Sequence, residues 1–290
     1  MEKKRIVISG ASGFIGSELC RYFASRNYEV IGLVRSIPDK TIPNTLFIKH
    51  NLGESVPRGV FSPGTIFVHG SYVRSTQKIN SSELNISGSE KLVAAARENA
   101  CSRIVFLSSF SSGSDASSAY GKEKYAVEKF FEGSDGLVLR LGWVAGKGGS
   151  FYKVYERIIK GGTLPLIGGG NQPVQLLAVS DLGPMMEKAI AVNLNGLFFV
   201  AQTEAVSLRD FAKLIWNKQN RKGRFLSIPY FLAKIAAGMA GNLKIPFPVD
   251  KENILGLKDA KPREVDSFLK KVDFSIVSPG EILEKENLFQ

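Results

Sequence analysis

Cysteine and histidine are scarce, two of each in 290 residues. Cys20 and Cys101 stand apart, with no CxxC spacing and no nearby histidine. Neither a disulfide nor a metal site is therefore indicated, and both read as small buried residues. Neither histidine has a visible triad partner. Long hydrophobic runs are missing too. The apolar stretch Pro229 to Gly241 is too short to span a bilayer and is interrupted by Lys234. The run after Met-Glu-Lys-Lys-Arg is too short for a signal peptide. The expectation is a cytoplasmic protein with no stable membrane insertion. Acidic charge is the minority, 27 residues against 38 basic ones, for a net charge of +11. The basic residues are dispersed, apart from Lys218, Arg221, Lys222 and Arg224, and are not interleaved with aromatics. That pattern argues against nucleic acid as a partner, while a positive field suits a doubly negative small molecule.

What is present is a soluble globular composition, 44% hydrophobic and 22% charged, without repeats or low-complexity tracts. The chain is long enough for one large core with or without a smaller lobe. Its organising stretch is Arg5 to Gly16. Ile6, Val7 and Ile8 form an apolar run that suits a strand buried on both faces. Gly10, Gly13 and Gly16 follow at a spacing of three, and Phe14 to Arg26 reads as an amphipathic helix. Such glycines permit a tight strand-to-helix turn, close approach of backbone to a pyrophosphate, and close helix packing, with the helix N-terminus facing the phosphates. The spacing alone is weak. Its position between a buried strand and a helix, with a second strand at Tyr28 to Val34, makes a dinucleotide site the expectation.

An NAD site usually carries an acidic residue about twenty positions beyond the glycines. Val34 stands there and Arg35 follows, a pairing that fits a 2′-phosphate and favours NADP(H) over NAD(H). Thr45 to Lys49 reads as a third strand ending at Asn51-Leu52. Thr65 to His69 reads as a fourth, with a turn at His69-Gly70-Ser71. A histidine at a strand end is more often structural than a catalytic base. Ser81 to Asn99 has helical periodicity, and Arg103 to Ser109 reads as a fifth strand opening into the Ser/Gly-rich loop Phe110 to Ser118. Strands alternating with helices of this length predict an α/β, Rossmann-type, doubly wound parallel sheet. Beyond Gly146 that pattern breaks. Tyr152 to Lys160 looks helical, Gly161 to Gly170 is glycine-rich, and Leu176 to Val179 and Leu197 to Val200 look like returning strands, with Asp181 as the N-cap of the helix between them.

Tyr120 and Lys124, four apart, share one face of the helix expected to run to Phe131. Tyr125/Lys129 and Tyr230/Lys234 have the same spacing. Only Tyr120 opens a helix directly after the Ser109 loop, where strand carboxyl ends form the ligand crevice. Tyr125 lies about 140° further round that helix.

With these residues in place, the chain resembles the extended short-chain dehydrogenase/reductase family, in its NAD-dependent epimerase/dehydratase branch. The resemblance rests on Gly10-x-x-Gly13-x-x-Gly16, Ser108-Ser109, Tyr120-x-x-x-Lys124, Glu128, Asn85-Ile-Ser-Gly88, Arg140-Leu-Gly-Trp-Val-Ala-Gly146 and Val179-Ser-Asp181-Leu182. It covers about residues 4 to 204. It implies hydride transfer at a carbinol carbon, with Tyr120 as acid or base, Ser109 on the substrate oxygen and Lys124 on the nicotinamide ribose. The cofactor contacts it implies are Gly10, Ser12, Gly13, Phe14, Ile15, Gly16, Arg35, Asn51, Leu52, His69, Gly70 and Lys124. Two departures stand out: Glu123 replaces the small residue usual before the lysine, and the loop from Ser109 to Tyr120 is short. The second leaves Ser108 and Ser111 as alternatives to Ser109.

The expected organisation is a dinucleotide-binding domain over residues 1–204 and a smaller substrate lobe over 205–290, with 147–172 able to belong to either. Three functions compete: a nucleotide-sugar 4-epimerase, an NADPH-dependent reductase of a keto-sugar or small carbonyl compound, and a non-catalytic dinucleotide-binding protein. Phe110 and Ser111 replace the Asp-Glu pair of the family's dehydratases. Arg224 is the candidate clamp for a substrate diphosphate, and a homodimer is compatible with the sequence.

Overall fold

A computed structural model of the chain describes residues 3–74, 81–133, 135–233, 235 and 251–289. Lys234 and residues 236–241 of the apolar stretch lie outside the described residues. The first half alternates β1 (Arg5–Ser9), α1 (Phe14–Ser25), β2 (Glu29–Val34), β3 (Thr45–Lys49), β4 (Ile66–His69), α2 (Ser82–Glu98), β5 (Arg103–Ser109) and α3 (Ala119–Glu128), followed by β6 (Gly136–Leu141). With β11 (Gly196–Val200) these strands form one parallel sheet, in the order β11-β6-β5-β4-β1-β2-β3.

The unbroken apolar runs follow from burial on both sides. Ile6 and Ile8 face one core with Leu19, Phe23 and Met185, while Val7 faces another with Phe67, Leu92 and Phe106. A strand with period-two side chains and no solvent face has no polar position to fill. The strand order reverses between β1 and β4, which opens a crevice at their carboxyl ends. The residues following both strands meet there: a Cβ on Gly10, whose φ is +73°, would stand 2.9 Å from the backbone of Gly70 and Ser71. One on Gly16 would stand 2.2 Å from the Gly10 carbonyl oxygen, so α1 can leave β1 at this angle only without it.

Past β6 run β7 (Trp143–Ala145), α4 (Ser150–Ile159), β8 (Gly162–Ile167), β9 (Pro173–Val174), β10 (Leu176–Ala178), α5 (Val179–Ala191), β12 (Val206–Ser207), α6 (Leu208–Lys218) and β13 (Gly223–Ile228). The described chain ends with α7 (Lys251–Lys258), α8 (Asp266–Lys271) and α9 (Pro279–Lys285). β13 pairs in parallel with β8, and α4, α6 and α9 close a further core around Tyr155, Phe211 and Trp216. Phe268 and Leu269 of α8 pack back into the sheet-side core of α1 and α5. The N-cap expectation for Asp181 is corrected: Ala178, in extended conformation, caps α5. Asp181 lies in the first turn, where its buried carboxylate pairs with Lys285 at the end of α9. Among the described residues no helix is long and apolar enough to cross a membrane.

Candidate active site

Three elements converge on Tyr120. Ser118 caps α3 by accepting the Gly121 N–H at 3.1 Å, which fixes where the helix begins. A Cβ on Gly121 would stand 2.2 Å from the Ser111 carbonyl oxygen. Only glycine lets this first turn lie against the loop that follows β5. Tyr120 is thereby brought beside Ser109, whose hydroxyl pulls the phenol's pKa down. The ring also meets Tyr72 edge-on, with centroids 5.0 Å apart.

Of the three candidate serines, the geometry brings Ser109 to Tyr120. Ser108 is buried and donates to Glu128 Oε1 at 2.5 Å. Glu128 in turn holds Arg140 through both carboxylate oxygens, at 2.8 and 2.6 Å. This buried ion pair ties α3 to β6 and leaves Ser108 no free proton for a substrate.

One turn after Tyr120, Lys124 is 5% exposed and donates to the Leu107 carbonyl at 2.9 Å. Its ammonium lies 4.6 Å from the Phe106 ring, 5.6 Å from Tyr72 and 5.9 Å from Tyr120. Burial pushes its pKa down to about 8, against the pull of Glu128 and Glu123. Burial also raises the phenol of Tyr120, and Glu123 adds to that; the Ser109 hydroxyl and the charge of Arg74 work the other way. Tyr120 is therefore a protonated phenol in the protein alone. Tyr125 sits on another face, beneath Lys129.

The glycine loop fits a dinucleotide. Gly13 caps α1 without a side chain, so the N–H groups of Phe14 and Ile15 have no hydrogen-bond partner among the described residues. A cavity of about 390 Å³ opens there, lined by Ser12, Gly13, Phe14, Lys147 and Val179, and runs along the outer face of α1 to Arg21 rather than toward Tyr120. Val34 is buried at the end of β2 and Arg35 is exposed, with no ion pair among the described residues. Asn51 binds Glu54 through its backbone and side chain, and Leu52 is buried.

His69 is fully buried, and its ring is consumed by structure. Ser89 donates to the Asn85 carbonyl at 2.5 Å, so His69 Nε2–H must donate to Ser89 at 2.8 Å. Its Nδ1 then accepts from Ser9 at 2.7 Å. Burial pushes the imidazole down to about 3, and it stays neutral. Gly70, whose N–H donates to the Ser9 carbonyl at 3.1 Å, is the neighbour that touches the glycine loop. Arg224 is exposed on β13, opposite Thr163 of β8, and among the described residues no hydrogen bond or ion pair ties it to those around Tyr120. The Ser108–Glu128–Arg140 link was missed by sequence reasoning. Its signal was a Glu four residues after the lysine and an Arg inside an apolar strand.

The family model for the NAD dependent epimerase/dehydratase family matches residues 6–197. Among curated proteins, an uncharacterized protein of Mycobacterium tuberculosis is 29% identical over 106 residues, 36% of this chain and 12% of that one. The 3-beta-hydroxysteroid dehydrogenase of Mycolicibacterium neoaurum is 26% identical over 202 residues, 58% of this chain and 55% of that one. This chain thus spans 12% and 55% of the length of those two relatives. Among solved structures, a UDP-N-acetylglucosamine 4-epimerase from Methanobrevibacter ruminantium superposes with a TM-score of 0.74 at 18% identity, covering 100% of this chain and 98% of that one. A UDP-glucuronic acid 4-epimerase from Bacillus cereus, bound to UDP-glucuronic acid and NAD, gives 0.71 at 15% identity, covering 98% of both chains. At such identities the likeness is one of fold.

Proposed function

Because the chain belongs to the NAD dependent epimerase/dehydratase family, we propose that it is a cytoplasmic NAD(P)-dependent enzyme that moves a hydride at a carbinol or carbonyl carbon, on a nucleotide sugar in the 4-epimerase manner. The observation that carries this reading is the convergence of Ser109, Tyr120 and Lys124 at the carboxyl end of β5, beside the crevice between β1 and β4.

A bound dinucleotide supplies the hydride acceptor or donor, and this chain's residues supply everything else. The N–H groups of Phe14 and Ile15 and the surface of Gly13 hold the pyrophosphate, Arg35 holds a 2′-phosphate, and Lys124 holds the ribose next to the nicotinamide. Ser109 orients the substrate oxygen. Tyr120 takes the carbinol proton on oxidation and returns it on reduction. A phenol must fall by roughly three pKa units to act as a base near neutrality, about 4 kcal/mol. The Lys124 ammonium, 5.9 Å from the centre of the Tyr120 ring, works in that direction, against the burial that raises the phenol.

A second reading, an NADPH-dependent reductase of a keto-sugar or small carbonyl compound, is favoured by one observation. Burial and Glu123 keep Tyr120 in its acid form, the form that gives a proton to a carbonyl. The relative from M. neoaurum, named as a dehydrogenase, also supports it.

Assaying the purified protein with uridine and guanosine diphosphate sugars, and separately with simple ketones, decides between them. The epimerase reading expects sugar turnover inhibited by the free nucleoside diphosphates. It also expects Arg224→Ala to raise the KM for the nucleotide sugar about tenfold. Ready reduction of simple ketones without inhibition by nucleoside diphosphates would leave the reductase reading standing.

A further inference from the structure

Lys124 carries a positive charge in a setting that supplies little to balance it. Among the described residues its one hydrogen bond goes to a neutral carbonyl, and the surfaces around it are the rings of Phe106, Tyr72 and Tyr120. Two carboxylates on its own helix act on it, Glu128 and Glu123. Glu128 is already matched, with Arg140 on both oxygens and Ser108 as a further donor. Glu123 is not. It is 5% exposed, its one hydrogen bond comes from the neutral Asn85 amide at 2.9 Å, and no ion pair reaches it among the described residues. Glu123 and Lys124 line the same small cavity of about 10 Å³ with Asn85 and Tyr72, a space the size of one water. Glu128 pulls harder on Lys124, and no direct ion pair joins Lys124 to Glu123 among the described residues, but with Glu128 matched by Arg140 the Glu123 carboxylate is the negative charge left to balance the buried ammonium.

We propose that Glu123 is the counter-ion of Lys124, a positioning residue that keeps the buried ammonium protonated at neutral pH and so keeps a positive charge beside Tyr120. This rests on the reading that Tyr120 and Lys124 serve hydride transfer. Asn85 has a defined part in it. Its side-chain oxygen accepts the Val73 N–H at 2.8 Å, and its amide donates both to the Val73 carbonyl and to Glu123. The carboxylate is thus anchored to the segment after β4 while it acts on a neighbour in α3. The other charged or titratable groups facing the pair come from several elements. His69 of β4 is neutral, Arg74 after β4 acts on Tyr120, and Arg140 of β6 is spent on Glu128. None of them substitutes for Glu123.

Removing the negative charge lowers the proton affinity of Lys124. Burial already brings that ammonium down to about 8, so its charge at neutral pH has little margin. Glu123→Gln keeps an acceptor for Asn85 and deletes only the charge. The test is an NMR titration of full-length protein carrying isotope-labelled lysine, with the Lys124 signal assigned by its loss in Lys124→Met. The expected result is a titration midpoint about one pH unit lower in Glu123→Gln than in the unmutated protein, and near the original value in Glu123→Asp. The alkaline limb of kcat/KM should move down by the same amount, with activity regained on lowering the pH. If Glu123→Gln does not fold, Glu123→Ser is titrated in its place. An unchanged midpoint, or an activity loss equal at every pH, would overturn the proposal. The titration does not depend on turnover: should Tyr120→Phe prove fully active, the functional reading fails while the titration still reports on Glu123.

Discussion

Single residues carry two predictions of opposite kinds, one about a group that faces solvent and one about a group that never does. Arg35 follows a buried Val34 where an acidic residue would reject a 2′-phosphate. Arg35→Ala should weaken NADP(H) binding by about 1.5–3 kcal/mol and spare NAD(H). Tighter binding of NAD(H) than NADP(H) by the unmutated protein, in a direct titration, would remove the basis for that assignment. His69, held neutral between Ser9 and Ser89, has a folded-state pKa of about 3, below its ordinary value of 6.5. The folded protein therefore binds fewer protons than the unfolded chain between those values. The stability that comes from keeping His69 neutral is complete above about pH 6.5 and is lost as the pH falls toward 3, at about 1.4 kcal/mol per pH unit. Urea unfolding at pH 6.5 and pH 5.5 should show a loss of about 1 kcal/mol, since the unfolded histidine is only half protonated at the upper pH, and His69→Gln should flatten it. An equal slope in both proteins would mean that His69 is not the group responsible. The sequence placed this histidine at a strand end and gave the structural role the better odds. It could not show that Ser9 and Ser89 would both reach the ring, because they come from β1 and α2.

At the scale of elements, the strands and helices around the glycine loop were legible to within one or two residues, because each is an apolar run bounded by glycine, serine or charge. The run from Arg103 to Ser109 and the turn at Gly10 are cases in point. By contrast α3, expected to run to Phe131, ends at Glu128 and gives way to a 3-10 turn over Lys129–Phe131. Asp181 was misread because its partner, Lys285, lies 104 residues away in sequence, and a carboxylate near a helix start looks like a cap until that partner is known. Gly121, between Tyr120 and Lys124, has no role that the sequence spacing reveals. In the fold it sets the contact between α3 and the loop after β5. Gly121→Ala would force a methyl group to 2.2 Å from the Ser111 carbonyl, and backbone there cannot yield cheaply. The expected result is a loss of about 1–3 kcal/mol in stability, the range for overpacking. Turnover should fall at least tenfold as Tyr120 leaves Ser109, while cofactor affinity, which depends on the loop at Gly10, holds. Unchanged turnover would show that the Tyr120–Ser109 geometry does not depend on this contact.

The whole molecule joins a half legible throughout to one in which local pattern marks α4, β10 and β11 but not how the segments pair. The parallel sheet announces itself through strands that are predominantly apolar runs. The pairing of β13 with β8 joins segments about sixty residues apart, and α8 crosses back into the sheet-side core from the far end of the chain. Long-range pairing of this kind leaves no periodic mark in either segment. The central claim, that Tyr120 is the proton-transfer group of a dinucleotide-dependent reaction, nevertheless rests on the legible half. Its most direct test is turnover and cofactor binding measured together in Tyr120→Phe and Tyr125→Phe, on the substrate that the assays above select. Tyr120→Phe should lower kcat at least a hundredfold with cofactor affinity nearly unchanged, and Tyr125→Phe should be almost silent. Equal losses from both substitutions, or full turnover without the Tyr120 hydroxyl, would contradict the account.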